Sequence, residues 1–443
     1  MKLWDKGTSV DKRIEEFTVG RDRELDVFLA PFDILGTMAH ITMLESVGLL
    51  EKSELDVLLL ELKSLYKNSL GENFKIEDGI EDVHSQVELM LTRKLGDVGK
   101  KVHSGRSRND QVLLDLKLYT RHRIEELVKA IDKLFIVLQQ KSEEQKSVLI
   151  PGYTHLQVAM PSSFGVWFGA FAESLADDLL LMQAAWRTAN QNPLGTAAGY
   201  GSSFPLNRTM TTELLGFEDL NYNVGYAQMA RGKMERTVAY AMSSVAQTIG
   251  KLAVDGCLFT SQNFGFLKLP DELTTGSSIM PHKKNPDVFE LLRAHCNKLQ
   301  ALPESIGMIT ANLPTGYFRD LQLIKEVFMP AFDELLDCLE IATFAIENID
   351  VKTDVMEDNK YKLAFSVEEV NKLVLSGVPF RDAYKQVGLA IEAGQFETDY
   401  QVNHTHEGSV GNLCNDKIER KKNKIIKEFG FEKVTEVIQN LLK

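Results

Sequence analysis

From Asp110 to Ile150 the chain contains neither proline nor glycine. Apolar residues fall there at Leu113, Leu116, Ile124, Leu127, Val128, Ile131, Leu134, Phe135 and Leu138, the spacing of a helix with one buried face. The pattern predicts one helix of about 35–40 residues, roughly 55 Å long. Ser162 to Asn190 has the same character, with Pro161 ahead of it and Asn192-Pro193-Leu194-Gly195 to stop it. Proline-free spans from Leu206 to Leu269 and from Ala331 to Val378 each have room for at least one more long helix. Alternating Val/Ile/Thr runs are scarce, so the expected fold class is all-α, centred on a bundle of unusually long helices.

The pattern shortens on both sides of that centre. Residues 1–107 contain shorter helical stretches broken by Gly36, Gly48, Gly71 and Gly79, and are read as an N-terminal helical domain. The long-helix domain is placed at 108–358 and a small helical domain at 359–443. Helices this long bury little against a small monomer and pair more readily with copies of themselves, so a homo-oligomer is expected. The 443 residues, 44% hydrophobic and 26% charged, suit a soluble globular chain of two or three domains. No run of about 18 apolar residues is seen, and the start lacks an apolar secretory core, so no membrane association and a cytoplasmic location are expected. Cys257, Cys296, Cys338 and Cys414 lie far apart without metal-site spacing and are read as reduced thiols, with no metal. The net charge of −13 argues against nucleic acid as a partner. The basic run Arg420, Lys421, Lys422 and Lys424 is read as a solvated helix face.

Against that acidic background several loops are basic, as a positive pocket for an anion requires. Residues 276–286 read Gly-Ser-Ser-Ile-Met-Pro-His-Lys-Lys-Asn-Pro. The Gly-Ser-Ser turn can present backbone N–H groups, and two lysines and Asn285 follow within reach. A hydroxyl among amide donors and ammonium groups suits a reaction that builds negative charge on a carboxylate. His103-Ser-Gly-Arg-Ser-Arg-Asn-Asp-Gln111 precedes the first long helix, where Asn109 or Asp110 is expected to cap. Ser107, Arg108 and Asn109 then crowd a helix N-terminus that favours anions. Pro151-Gly-Tyr-Thr-His-Leu-Gln157 joins two long helices and offers His155 as a general acid or polarising donor. Gly316-Tyr-Phe-Arg-Asp-Leu-Gln-Leu-Ile-Lys325 brings Tyr317, Gln322 and Lys325 together, a polar set suited to an amino-acid-like group. Taken singly, each segment is also compatible with an ordinary loop or cap.

Together, HSGRSRNDQ, GYTHLQ, GSSxMPxKKNPD and Tyr-x4-Gln-x2-Lys, in this order, resemble the argininosuccinate lyases of the fumarase/aspartase superfamily. Leu3-Trp4, residues 81–85 (Glu-Asp-Val-His-Ser), Asn192-Pro193-Leu194-Gly195 and residues 377–383 extend the likeness over nearly the whole chain. The GSSxMPxKxNP signature marks the superfamily; GRSRNDQ points to the argininosuccinate enzymes. The resemblance implies a homotetramer with a fumarase/aspartase-like three-domain fold, each active site drawing loops from three subunits. It further implies reversible β-elimination of argininosuccinate to arginine and fumarate, with no metal or organic cofactor.

Carried over residue by residue, the resemblance makes Ser277 the base, with Ser278 not distinguished from it. Lys283 would lower its pKa and stabilise the aci-carboxylate intermediate. Asn285 would bind a carboxylate, and His155, oriented by Glu290, would assist the leaving guanidinium. Ser107, Arg108, Asn109 and Thr154 would hold the fumarate-side carboxylates; Tyr317, Gln322 and Lys325 would hold the arginine end. His84 matches a further site position. Asp5-Lys6-Gly7-Thr8, Met229-Ala-Arg-Gly-Lys233, His282 and Phe318-Arg319 depart from the family's usual residues, leaving room for a modified substrate such as an acylated relative. The competing expectations are a lyase acting on adenylosuccinate or aspartate, and a non-catalytic, crystallin-like storage protein.

Overall fold

The computed structural model describes residues 11–71 and 74–443; Leu3, Trp4 and the departure at 5–8 lie outside the described residues. The fold is all-α. Five helices form its centre: α1 (Arg108–Glu144), α2 (Phe164–Ala189), α3 (Lys233–Thr260), α4 (Asp287–Gln300) and α5 (Ile324–Asn348). Leu127, Ile131 and Leu134 of α1, Phe168, Leu175 and Leu179 of α2, and Val238, Met242 and Val245 of α3 join one continuous buried core. Each such side chain contributes about 1.5–3 kcal/mol by leaving water, which is why the helical spacing of these positions dictates the bundle.

α1 has 37 residues, as its pattern predicts. Its N-cap is neither Asn109 nor Asp110 but Ser107, whose Oγ accepts from the Asn109 amide at 3.2 Å. Asp110 completes a capping box by accepting from the Ser107 amide at 2.8 Å. Its other oxygen accepts from the amides of Gly195 and Ala197 at 3.0 and 2.9 Å, tying the loop after α2 to the start of α1.

Helices α1, α3 and α5 run in the same direction, and α2 and α4 return. At one end Lys117 of α1 donates to the Thr188 carbonyl at the close of α2. At the other end Lys141 of α1 donates to the Ile349 carbonyl just past α5. There, too, Leu267 and Lys268, beyond α3, pair with Val351 and Asp350. On α3, Gly250 lies against Cys296 and Gly256 against Phe289, so α4 is antiparallel to it. The ends are called here the start end, where α1, α3 and α5 begin, and the far end.

Several local features differ from expectation. Gly36 does not break a helix: it sits inside Ala30–Ser46, where a Cβ would come within 2.5 Å of Leu114 on α1, so the glycine permits close packing. Pro330 lies inside α5, which therefore begins at Ile324, ahead of the proline-free span. Residues 149–163 form a hairpin, β1 (Leu149–Thr154) with β2 (Gln157–Ser163). Its two-residue turn places His155 and Leu156 at φ 55° and 57°, the left-handed conformation of a type I′ turn. The helical run 22–46 is long and apolar enough to span a membrane, with mean hydropathy 1.5, yet 72% of that window is buried within this chain. Lys422 is not solvated: it is buried, paired with Asp132 and placed 4.9 Å from the Phe135 ring. The helix Asn415–Lys427 that carries it thus packs back onto α1.

The junction of hairpin, α1 and α2 depends on Gly165. An alanine Cβ there would lie 2.6 Å from the Lys146 Cα and 2.9 Å from the Ser142 carbonyl oxygen. Although alanine favours helices by about 1 kcal/mol, Gly165→Ala should destabilise by about 2 kcal/mol. A thermal midpoint equal to wild type at matched protein concentration would contradict this packing.

Candidate active site

At the start end, the leading segments of α1, α3 and α5 meet Asp22, Asp26 and residues 81–84 around a cavity of about 170 Å³. Of the expected site residues, it brings together His84, Arg108, Asn109, Tyr317, Gln322 and Lys325. Ser107, the cap of α1, adjoins them.

Most of the charge here is paired within the chain. Lys325, 3% exposed, places Nζ 2.7 Å from Asp22 and 2.6 Å from Asp26. Burial opposes its charge, but the Asp26 and Asp22 carboxylates outweigh burial and raise its pKa. Burial pushes Asp22 up to about 6 against the pull of Lys325. Asp22 and Asp26 were not singled out in the sequence; their only signal was a four-residue spacing that puts both on one helical face. Arg108 donates to Glu81 at 3.0 Å and to Ser85 at 2.8 Å, and lies 3.3 Å from Asp82. Arg319 donates to Glu81 at 2.7 Å and to the Thr18 carbonyl at 3.0 Å. Burial would raise the Glu81 pKa, but Arg319 and Arg108 together lower it. Gln322 donates to the Thr18 and Val19 carbonyls. Asn109 keeps its side-chain amide without a partner among the described residues.

Two charged lining groups also retain donors. Arg231, just ahead of α3, is buried, donates once to the Leu321 carbonyl, and leaves Nε and Nη1 without a partner. Its guanidinium carbon lies 5.7 Å from the Tyr317 ring centroid. His84 places Nδ1 2.7 Å from Asp33 and 3.4 Å from Asp115. Burial disfavours the imidazolium, but these carboxylates outweigh it and raise the pKa to about 9.

Thr154, His155, Ser277, Lys283, Asn285 and Glu290 are elsewhere. The hairpin's Tyr153 ring packs 5.5 Å from Phe264, past the end of α3, which places Thr154 and His155 at the far end. The Ser277 loop is closed by β3 (Thr275–Gly276) pairing with β4 (Lys284–Asn285), directly before α4. Phe289 in the first turn of α4 meets Gly256 near the end of α3. Twenty-five residues of chain, most of them helical, separate Gly256 from Arg231, about 37 Å along the axis. One chain therefore cannot bring the Ser277 loop to the start-end cavity. Nor does any hydrogen bond join Glu290 to His155 within the chain.

Inside the loop the candidates are distinguishable. Ser277 Oγ accepts from the amides of Ile279 and Met280 at 3.3 and 3.1 Å, whereas Ser278 is exposed and makes no such contact. Lys284 is ion-paired with Asp271, while Lys283 is exposed and unpaired among the described residues. Asn285 donates to Thr275 Oγ1 at 3.4 Å, and Thr275 in turn donates to Asp287.

Residues 6–301 match a family described as Lyase, so a lyase is the class that this helical bundle and its split polar site define. The bundle resembles that of an EDDS lyase in complex with formate: TM-score 0.80 at 20% identity, covering 98% of this chain and 95% of that one. A class II fumarase from Schistosoma mansoni aligns with TM-score 0.68 at 16% identity, covering 93% and 94% of the two chains. In sequence, the chain is 66% identical over 441 residues to an argininosuccinate lyase of Bacteroides fragilis, 100% of this chain and 99% of that protein. It belongs to the argininosuccinate lyase family.

The His84 contacts carry a pH signature. The folded pKa of about 9 exceeds the ordinary 6.5, so the stabilisation, about 3 kcal/mol, is complete below pH 6.5 and lost as pH rises through about 9. The stability gap between wild type and His84→Gln should therefore narrow over that window. A gap independent of pH would contradict a charged His84.

Proposed function

We propose that this chain is a cytoplasmic carbon–nitrogen lyase that reversibly splits argininosuccinate into arginine and fumarate. Sixty-six per cent identity over the full length of an argininosuccinate lyase is the observation that carries the reading. We further propose that it works as a homotetramer whose sites combine a start-end cavity from one copy with a His155 hairpin and a Ser277 loop from others. The separation of about 37 Å along α3 supports that sharing.

In this reading Ser277 removes a proton from the succinyl carbon next to a carboxylate. The electron pair moves onto that carboxylate, then forms the C=C bond as the C–N bond to the guanidino group breaks. The dianionic intermediate needs donors and positive charge already in place. Two backbone amides aimed at Ser277 Oγ favour its alkoxide, which supports Ser277 over Ser278. Lys283, without an intrachain partner, is the cation available to the intermediate, and Asn285 binds a carboxylate. His155, steered by Glu290 in the assembly, assists the departing guanidino group. Thr154, Ser107, Arg108 and Asn109 contact the fumarate half; Tyr317, Gln322 and Lys325 contact the arginine half, with Asp22 and Asp26 holding Lys325 charged.

Purified protein should release fumarate, followed by its ultraviolet absorbance, from argininosuccinate and not from adenylosuccinate or aspartate. The reverse preference, or no turnover, would overturn the proposal. Ser277→Ala should lower kcat by on the order of 10³-fold or more, with Ser278→Ala close to wild type; a reversed pattern would move the base to Ser278. Ser277→Ala and Asn109→Leu chains, each inactive alone, should regain part of the activity when unfolded and reassembled together. No recovery, despite mixed assembly, would sink the shared site.

A further inference from the structure

We propose that Asp33 and Asp115 are positioning residues, which hold Nδ1 of His84 so that its Nε2–H is presented to a carboxylate of the fumarate half. The inference rests on the functional reading above and extends it to residues outside the cavity. The three side chains come from separate elements: Asp33 from Ala30–Ser46, His84 from the first turn of Val83–Leu95, and Asp115 from α1. All are buried. The 2.7 Å hydrogen bond to Asp33 fixes the ring's rotation, and Asp115 Oδ2, 3.4 Å from the same nitrogen and without a hydrogen bond of its own, flanks that edge. The opposite edge, Nε2, has no partner among the described residues, and His84 lines the cavity beside Arg108 and Asn109.

Competition among the lining cations makes this edge significant. Arg108 and Arg319 converge on Glu81, and Lys325 is held by Asp22 and Asp26. The ion-pair contacts of His84 lie at its Nδ1 edge, and its Nε2–H faces the cavity without a partner among the described residues. The other charged groups acting on it are Asp82 at the head of its own helix and His103, and Arg108 from α1 acts in turn on both of these. Burial, then Asp33 and Asp26, push the Asp115 carboxyl well above the usual carboxylate range, against the pull of His84 and Arg106. Asp33, through both its charge and its hydrogen bond, is the main group that keeps the imidazole protonated in neutral solution, so Nε2 remains a donor rather than an acceptor. The same three side chains present ligand atoms within 4.8 Å of one another, as a cation site would; a proton on Nδ1 and a metal on Nδ1 are mutually exclusive.

Side-chain length separates the two edges. A glutamine amide at position 84 reaches the place of Nε2, whereas an asparagine amide reaches that of Nδ1. His84→Gln should keep kcat/KM within about tenfold of wild type, and His84→Asn should lose on the order of 10²-fold. Asn equal to or better than Gln, in variants of matched thermal midpoint, would overturn the proposal, because a merely structural role favours the variant that keeps the Asp33 contact. Asp33→Asn should move the alkaline limb of the kcat/KM profile to lower pH; an unmoved limb counts against it. Loss of wild-type activity after treatment with a chelator, restored by a divalent metal, would replace it with a cation site. If wild type forms no fumarate from argininosuccinate, the functional reading fails instead, and the Gln/Asn comparison is then made on fumarate binding by thermal shift.

Discussion

The stiffness of a long helix is the constraint on which this architecture depends. α1 extends for 37 residues and α3 for 28, and neither can bend enough to bring its two ends together. Polar residues placed at both ends of the same rods are permanently apart within one chain and can meet only across copies. The bundle therefore acts as a spacer as well as a core. It fixes how far apart the two polar groups lie, and on the proposed function their joining is left to assembly.

Electrostatics at the start end follow a second rule. Opposite charges are set side by side before any ligand arrives, with Lys325 between Asp22 and Asp26, and Glu81 between Arg108 and Arg319. Such pairing limits the cost of burying charge. It also fixes side-chain geometry so that donors need little reorganisation when a dianion enters. Among the charged groups, the incompletely paired Arg231 and His84 are the ones with donor capacity to give.

The bundle was legible because burial imposes a period: α1 and α2 follow directly from their apolar spacing. The four motif segments were legible as chemistry, although not as one place, since spacing along the sequence says nothing about which end of a rod a loop occupies. Other features were hidden for specific reasons. Gly36 was misread because a glycine needed for helix–helix contact with Leu114 looks the same in sequence as one that ends a helix. The hairpin at 149–163 was missed because its turn uses His155 and Leu156 at positive φ instead of the glycine or asparagine that would announce it. Pro330 concealed the start of α5, and nothing local to Lys325 discloses that Asp22 and Asp26, three hundred residues away, determine its charge.

That hairpin tip has an implication for anyone re-engineering the chain. His155 and Leu156 occupy left-handed backbone at a cost of about 1 kcal/mol each, and Leu156 is 78% exposed. Any stability-driven redesign would replace the pair with Asn-Gly, gaining a better turn and a less sticky surface. The product would be hardier and, if His155 has its proposed role, chemically mute, because the redesign removes the imidazole together with the awkward turn.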